Sequence, residues 1–278
     1  MKEFFERENI ELYAYVPLSK CKIIKKYLLE KDGFDDGCGA IMMLLPYRSD
    51  VKPSNLSVYA SVRDYHKYAD ELSKRLFEYV KIKYGNAKFK LFADHSPIDE
   101  VHAACISGLG FIGRNGLLIN EKYSSFVFLC EIVTDLTEKE LGIPQYVEKE
   151  LRTCINCGAC ARACPSNCMD ESDPRPKTEC MSAVTQKKGD LTENEIAMML
   201  KNECVWGCDV CQNVCPYTKN ADTTPISYFK EDIITELTTE LIDNMSDEEF
   251  LSRPFSWRGR SVIRRNTELF REGKERSR

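Results

Sequence analysis

Hydrophobic and polar positions along the first half of the chain form segments whose period switches between that of a strand and that of a helix. ELYAYVP (11–17) has the alternation of a half-buried strand, and residues 19–31 read as a helix. AIMMLLPY (40–47) is a short continuous apolar run, the pattern of a strand covered on both faces. The clearest helix is RDYHKYADELSKRLFEYVKIKYG (63–85), which puts Tyr65, Tyr68, Ala69, Leu72, Leu76, Tyr79 and Val80 on one face. KFKLFAD (88–94) alternates as a strand. Ser96 is then the expected N-cap of a helix running to about Ser107, with Pro97 at its first position and Asp99 and Glu100 in its first turn. After a glycine loop, GLLIN and SSFVFLCEIVTD predict a strand pair. Together these elements predict an α/β (α+β) domain with a mixed or antiparallel sheet.

Polar residues 136–150, with Gly142 and Pro144, predict a boundary near 150. A cysteine-rich region follows to about 220 and contains a helix signal, LTENEIAMMLKN, opened by Thr192. Residues 221–278 read as helical, with Ser246 capping DEEFL. The expected layout is therefore 1–150, 151–220 and a helical tail, 221–278.

Composition changes this picture little. Hydrophobic content of 43% and charged content of 30% are ordinary for a soluble globular protein. The N-terminus has no apolar signal core, and the apolar runs are too short to span a bilayer, so a cytoplasmic, non-membrane protein is expected. The net charge of −5 speaks against nucleic acid, but from Arg253 onward nine basic residues face three acidic ones. Such a tail is a solvated terminus or a phosphate-contacting strip.

The cysteines change it more. CINCGACARACP (154–165) reads C-x2-C-x2-C-x3-C-P, the run that holds clusters in two-cluster ferredoxins. GCDVCQNVCP (207–216) supplies Cys208, Cys211 and Cys215 before Pro216, one ligand too few for a symmetric pair, since position 205 is Val205. Seven of the fourteen cysteines lie in these runs, which favours metal binding in a reducing compartment over disulfides. Zinc ribbons also use C-x2-C pairs, but not three cysteines at that spacing followed by x3-C-P. Cys168, Cys180 and Cys204 are the candidates for the missing thiolate, and spacing does not separate them.

GLGFIG (108–113) matches G-x-G-x-x-G, but it follows a helix and leads into a strand, the reverse of a dinucleotide fingerprint. Two readings of the loop remain: a close backbone approach to a flat group, and a connecting turn.

These segments resemble one family, the epoxyqueuosine reductases, cobalamin-dependent iron–sulfur enzymes of tRNA modification. The resemblance rests on YASVRDYHK (59–67), ADHSP (93–97), SGLGFIGRNGLLI (107–119), FVFLCEIVTDL (126–136), both cysteine runs and the C-x-S at Cys180 and Ser182. It implies a cobalamin-binding α/β domain, a ferredoxin-like domain with two 4Fe–4S clusters, and a short helical tail. Cys154, Cys157, Cys160 and Cys215 would hold one cluster, and Cys164, Cys180, Cys208 and Cys211 the other, nearer the corrin. Asp94 matches the family's proton donor, a role that requires a carboxylic acid kept neutral by an apolar cover. Read without the family, Asp94 closes a strand or helps cap the next helix. Ser182, Asp209, Gly108, Gly110 and Gly113 would neighbour the corrin, and His66 and His95 are read as structural. The remaining cysteines are left as small hydrophobes.

The implied reaction is reduction of the epoxide of epoxyqueuosine in tRNA to an alkene, with electrons passing from a low-potential donor such as flavodoxin or ferredoxin through the clusters to cobalt. Two departures from the family pattern are the absence of a helical-repeat region after the clusters and of a Y-H-G-E-M stretch before the first match. Two other readings stand beside it: a corrinoid reductase acting on a small molecule, like the reductive dehalogenases, and a ferredoxin-like electron-transfer partner.

Overall fold

The alternation at 11–17 folds as strand β1 (Leu12–Pro17) and the apolar run after it as β2 (Gly39–Pro46) in the computed structural model, which describes residues 1–148, 152–169 and 176–276. Strands β3 (Phe89–Phe92), β4 (Phe111–Ile112), β5 (Leu118–Ile119) and β6 (Val127–Thr134) follow. The main sheet has the order β1-β2-β6-β3, and every neighbouring pair is antiparallel. All of β2 is buried, as expected of a central strand with no polar residue on either face. Ala40, Met42 and Leu44 point to a core completed by Val16, Phe92, Ala103, Ala104 and Val133. The helix Tyr65–Lys83 buries Tyr68, Ala69, Leu72, Leu76 and Val80, much of the face its periodicity marks out.

By its internal contacts the chain forms two units rather than three consecutive stretches. One comprises Met1–Pro46, Tyr65–Ile155 and Ala221–Ile226; the other Tyr47–Asp64, Asn156–Asn220 and Ser227–Arg278. The boundary expected near 150 falls at 149–151, outside the described residues. Segment 47–64 joins the second unit through a parallel bridge from Leu56 to Trp206 and hydrogen bonds from Ser57 N to Trp206 O and from Val205 N to Asn55 O. The C-terminal region is part of the same core. The helix Arg260–Arg276 buries Val262, Ile263 and Phe270 with Phe250, Phe255 and Trp206. Asn266, fully buried on that helix, donates to the carbonyls of Thr185 and Val205. Trp206 is wholly buried, so Trp206→Ala is expected to cost about 3–5 kcal/mol, read as a lowered denaturant midpoint.

Three local expectations change for tertiary reasons. The helix expected over 19–31 is broken into a short 3-10 turn, Leu18–Lys20, and a helix, Lys26–Asp32. Between them, Ile24 and Lys25 give their N–H groups to the Pro97 carbonyl, and Ile23 bridges Ile98, so long-range pairing overrides the helical period. The helix after β3 starts three residues later than expected, at Glu100–Ile106, with Asp99 as the N-cap accepting from His102 N. Ser96 is engaged elsewhere. GLLIN pairs not with β6 but with the glycine loop itself, β5 against β4. The capping boxes at Thr192 and Ser246 form as their sequences predict.

Candidate acid site and iron–sulfur centre

In the first unit, β3 ends at Phe92 and the chain turns at Asp94, whose φ of 61° lies in the left-handed region. Asp tolerates that region better than most residues, and strained backbone of this kind clusters at functional sites. The Asp94 side chain is 75% exposed, and His66, from the first turn of the helix Tyr65–Lys83, stands with Nε2 3.8 Å from Oδ2. The pairing with His66 holds the Asp94 carboxyl below the ordinary carboxylate range, against a smaller opposing effect of burial. The apolar cover a neutral acid needs is therefore not supplied by the residues around Asp94 in this unit.

His66 also packs at a tilt against Tyr65, which lies parallel to Phe128 with ring centroids 4.3 Å apart. His95 meets Lys25 Nζ and the Tyr27 hydroxyl. A cavity of about 380 Å³ on this unit is lined by His66, Ala69, Phe92 and His95, among others.

Behind Asp94 lies a feature that the sequence reading missed. Glu131 sits on β6 in register with Met42 on one side and Phe92 on the other, and is 0% exposed. Ser96 Oγ donates to Glu131 Oε1 at 2.5 Å and accepts from Ile98 N. Glu100 faces Glu131, and its carboxyl also accepts the Asp94 amide N–H. Glu131 Oε2 and Glu100 Oε1 are buried with no other hydrogen-bond partner. Burial, and then the charge of Glu100, pushes Glu131 well above the ordinary carboxylate range; burial pushes Glu100 up to about 7. The signal was legible: a lone Glu in the run VFLCEIVT has no place on a strand buried on both faces unless it is protonated or paired.

Raised carboxyl pKa values mean that the folded state binds more protons than the unfolded one above pH 4.5, so the pair's contribution to stability is full below that pH and is lost as pH rises. Glu131→Gln removes the titrating group that burial and the charge of Glu100 push well above its ordinary range. The variant is therefore expected to lose less stability than the wild type between mildly acidic and mildly alkaline pH, measured by denaturant midpoints.

The glycines implied to neighbour a corrin are explained by their own chain. Gly108 has φ 84° where the helix Glu100–Ile106 ends. A Cβ at Gly110 would lie 2.5 Å from the Ile119 carbonyl oxygen, and one at Gly113 2.7 Å from Ile119 Cδ1. The close approach these glycines permit is that of β5 to β4.

In the second unit, Cys160 lies on the helix Ala159–Ala163 and Cys164 caps its C-terminal end. Gly158 at φ 70° and Asn156 at φ 51° bend the backbone between the first cysteines, and Arg162 donates to the Cys157 carbonyl. Cys154 stands at the end of the first unit's span. Cys180 is the N-cap of the helix Met181–Thr185, Cys211 lies on Val210–Asn213, and Cys215 precedes the 3-10 turn at Pro216. Burial pushes the Cys208 thiol up to about 12, with further contributions from Cys204, Cys211 and Cys180 nearby. Cys168 in turn feels Cys180 and Cys164. Cys180, Cys204 and Cys211 thus lie near Cys208, and Cys164 and Cys180 near Cys168.

Cys204 behaves differently: its Sγ lies 3.3 Å from the carbonyl oxygens of Trp206 and Gly207, the geometry of a protonated thiol. Among the described residues no three His, Cys, Asp or Glu side chains converge as ligands of a single ion. A cubane spreads its four thiolates further apart than that. The donor set, soft sulfur on short helices and turns, fits iron–sulfur clusters.

Asp209 is occupied by the protein: Val58 N donates to Oδ2 at 2.6 Å and Gln212 Nε2 to Oδ1 at 2.9 Å, while burial pushes its pKa up to about 6. Ser182 Oγ accepts from Gln186, which also reaches the Tyr59 hydroxyl beneath Trp206 Nε1. The basic tail is engaged as well. Arg260 donates to the carbonyls of Ile242, Met245 and Ser246 at the end of the helix Thr239–Asn244, Arg264 pairs with Asp243, and Arg265 reaches the carbonyls of Lys187 and Gly189. The Arg260 and Arg265 guanidinium groups thereby cap the protein's own backbone, while Arg264 holds a carboxylate.

Paired cysteine runs with this spacing define a double-cluster iron–sulfur protein. Residues 153–218 match the 4Fe-4S double cluster binding domain. Over 231 residues the chain is 30% identical to an epoxyqueuosine reductase of Leadbetterella byssophila, covering 79% of this chain and 74% of that one. It is 30% identical to that of Lactococcus garvieae over 80% of this chain and 62% of the relative. The fold matches a crystal structure of epoxyqueuosine reductase with an epoxyqueuosine-modified tRNA-Tyr stem loop, with a TM-score of 0.73, 22% identity, and coverage of 97% of this chain and 80% of that one. The chain belongs to the epoxyqueuosine reductase family. No described helix is long and apolar enough to cross a membrane.

Proposed function

We propose that this protein reduces the epoxide of epoxyqueuosine in tRNA to the alkene of queuosine. The observation that carries the reading is the identity over 231 residues with a protein named for that activity, a span long enough that it must include Asp94 and both cysteine runs. When bound, cobalamin supplies a strongly nucleophilic reduced cobalt and the clusters supply its electrons.

The protein's own residues do the rest. Asp94, turned outward by its left-handed backbone, gives a proton to the leaving oxygen. Its carboxyl is an anion beside His66 while exposed; an apolar ring and substrate covering that face would remove water and raise its pKa into the working range. His66, at 3.8 Å, orients the carboxyl and holds a proton next to it.

For the clusters we infer Cys154, Cys157, Cys160 and Cys215 as one ligand set and Cys164, Cys180, Cys208 and Cys211 as the other. The proximity of Cys180 to Cys208 supports Cys180 as the missing thiolate, and although Cys204 is also near Cys208, its carbonyl-bound thiol argues against it. The occupied side chains of Asp209 and Ser182 leave them as supports of the cluster loops rather than cofactor contacts.

The test is an anaerobic assay with epoxyqueuosine-containing tRNA, cobalamin and a low-potential reductant, read by nucleoside mass spectrometry. Queuosine should appear only when all three are present. Intact clusters and a cobalamin-induced absorbance change without queuosine would overturn the tRNA substrate.

A further inference from the structure

The proposed reaction has a proton balance that one carboxylic acid cannot meet. An epoxide reduced to an alkene releases its oxygen as water: two C–O bonds break, two electrons enter, and the departing oxygen gains two protons. Asp94 carries one proton. While substrate covers the exposed face of Asp94, water's route to that carboxyl is closed, and the second proton must come from the protein side.

The structure places a proton store there. Glu131 is fully buried between Met42 and Phe92, anchored through Oε1 by Ser96. Its Oε2 and Oε1 of Glu100 are buried and lack any other partner, which is stable only if one proton bridges the two carboxyl groups. Glu100 accepts the backbone N–H of Asp94, so the pair abuts the residue it would serve. We propose that the pair holds a second proton on Glu100 beside the bridging one, and that Glu100 passes that second proton to Asp94 after Asp94 has protonated the leaving oxygen, so that the bridging proton stays between Glu100 and Glu131. The Glu100 O–H breaks as the Asp94 O–H re-forms, Asp94 then delivers the second proton, and the pair recovers its own from water when product leaves. Electrons come from the clusters, as in the reaction on which this inference rests.

The neighbours are compatible with that role. Lys25 is the cation that both Asp94 and Glu100 feel, and His66 and His95 flank Asp94. Cys21 and Cys130, which sense Glu131, are held protonated by burial and do not compete for the proton. Glu100, with its pKa up to about 7, is poised to give up a proton at neutral pH; Glu131, deeper, keeps the pair from losing both. Both act through Asp94 and are positioning residues for proton supply.

The test compares wild type, Glu100→Gln and Glu100→Asp holoprotein in the tRNA assay, with kcat and KM followed across the neutral pH range. Glu100→Gln keeps the hydrogen-bonding shape and loses the acid. It should lower kcat at least about tenfold with KM for tRNA unmoved, and remove the part of the decline of kcat that falls near pH 7, leaving the part set by Asp94. Glu100→Asp should recover part of the rate and restore a decline with pH. A Glu100→Gln protein with wild-type kcat and pH profile overturns the proposal. A wild type inactive on this tRNA overturns the substrate assignment instead.

Infrared spectroscopy of the resting protein supplies a readout that needs no turnover and no foldable variant at Glu100. A protonated carboxylic acid C=O band should be present at neutral pH and be weakened in Glu131→Gln, where only Glu100 remains to carry it. Absence of the band in wild type overturns the shared proton whatever the substrate is.

Discussion

Asp94→Asn is expected to lower queuosine formation by about 10²–10⁴-fold, the usual worth of a general acid, with the iron content and the cluster absorbance unchanged. The amide preserves the size of the side chain, so the left-handed turn after β3 and the neighbouring His66 have no reason to move. What is lost is an exposed carboxyl with the His66 imidazole 3.8 Å away. The pH dependence has a definite sign. His66 favours the Asp94 anion, so the fraction of Asp94 able to donate falls as pH rises, and the wild-type rate should fall with it. Replacing His66 by Gln removes that bias, raises the Asp94 pKa and moves the decline to higher pH. A variant Asp94→Asn with wild-type rate would remove Asp94 from the mechanism.

Cys180→Ala is the second large effect. Each 4Fe–4S cluster needs four thiolates, so the variant should lose one cluster and retain the other, with iron falling from about eight to about four per chain. Cys204→Ala and Cys168→Ala, at the two positions that spacing alone could not distinguish from Cys180, should keep their iron. Cys204 already gives its S–H to the backbone of Trp206 and Gly207, and Cys168 lies 3.6 Å from the Pro176 carbonyl. Iron quantification with low-temperature electron paramagnetic resonance after reduction separates the three variants. Loss of iron in Cys204→Ala with full iron in Cys180→Ala would reverse the assignment.

How much of this was legible beforehand differs from element to element. The run at 40–47 and the long helix were readable because their patterns are strong and their partners are generic: any apolar face will cover an apolar strand. The helix expected over 19–31 was not, because the Pro97 carbonyl claims two N–H groups that a helix would have kept. Ser96 looked like an N-cap by local rules and instead anchors Glu131, thirty-five positions away. Asp209 and the tail arginines looked like ligands for something external. Their partners turned out to be Val58 and Gln212, and the carbonyls of a helix end, none of which a local window can show.

The sequence by itself determined the cluster chemistry, the family, the α/β character of the first unit and, through the family resemblance, Asp94 as the candidate acid. That the sheet is antiparallel throughout rather than mixed was left to the structure. Thiolate spacing and strand periodicity are local properties, written within a few residues of one another. Only the tertiary structure decided that segment 47–64 belongs to the unit that carries the cysteine runs, and that the basic tail is engaged by that unit's own backbone. It also decided that His66 stands beside Asp94 and that two glutamates 31 positions apart meet in the core behind it. Those are long-range contacts, fixed by which faces must be buried together, and a buried carboxyl acquires its chemistry from the partner it meets there.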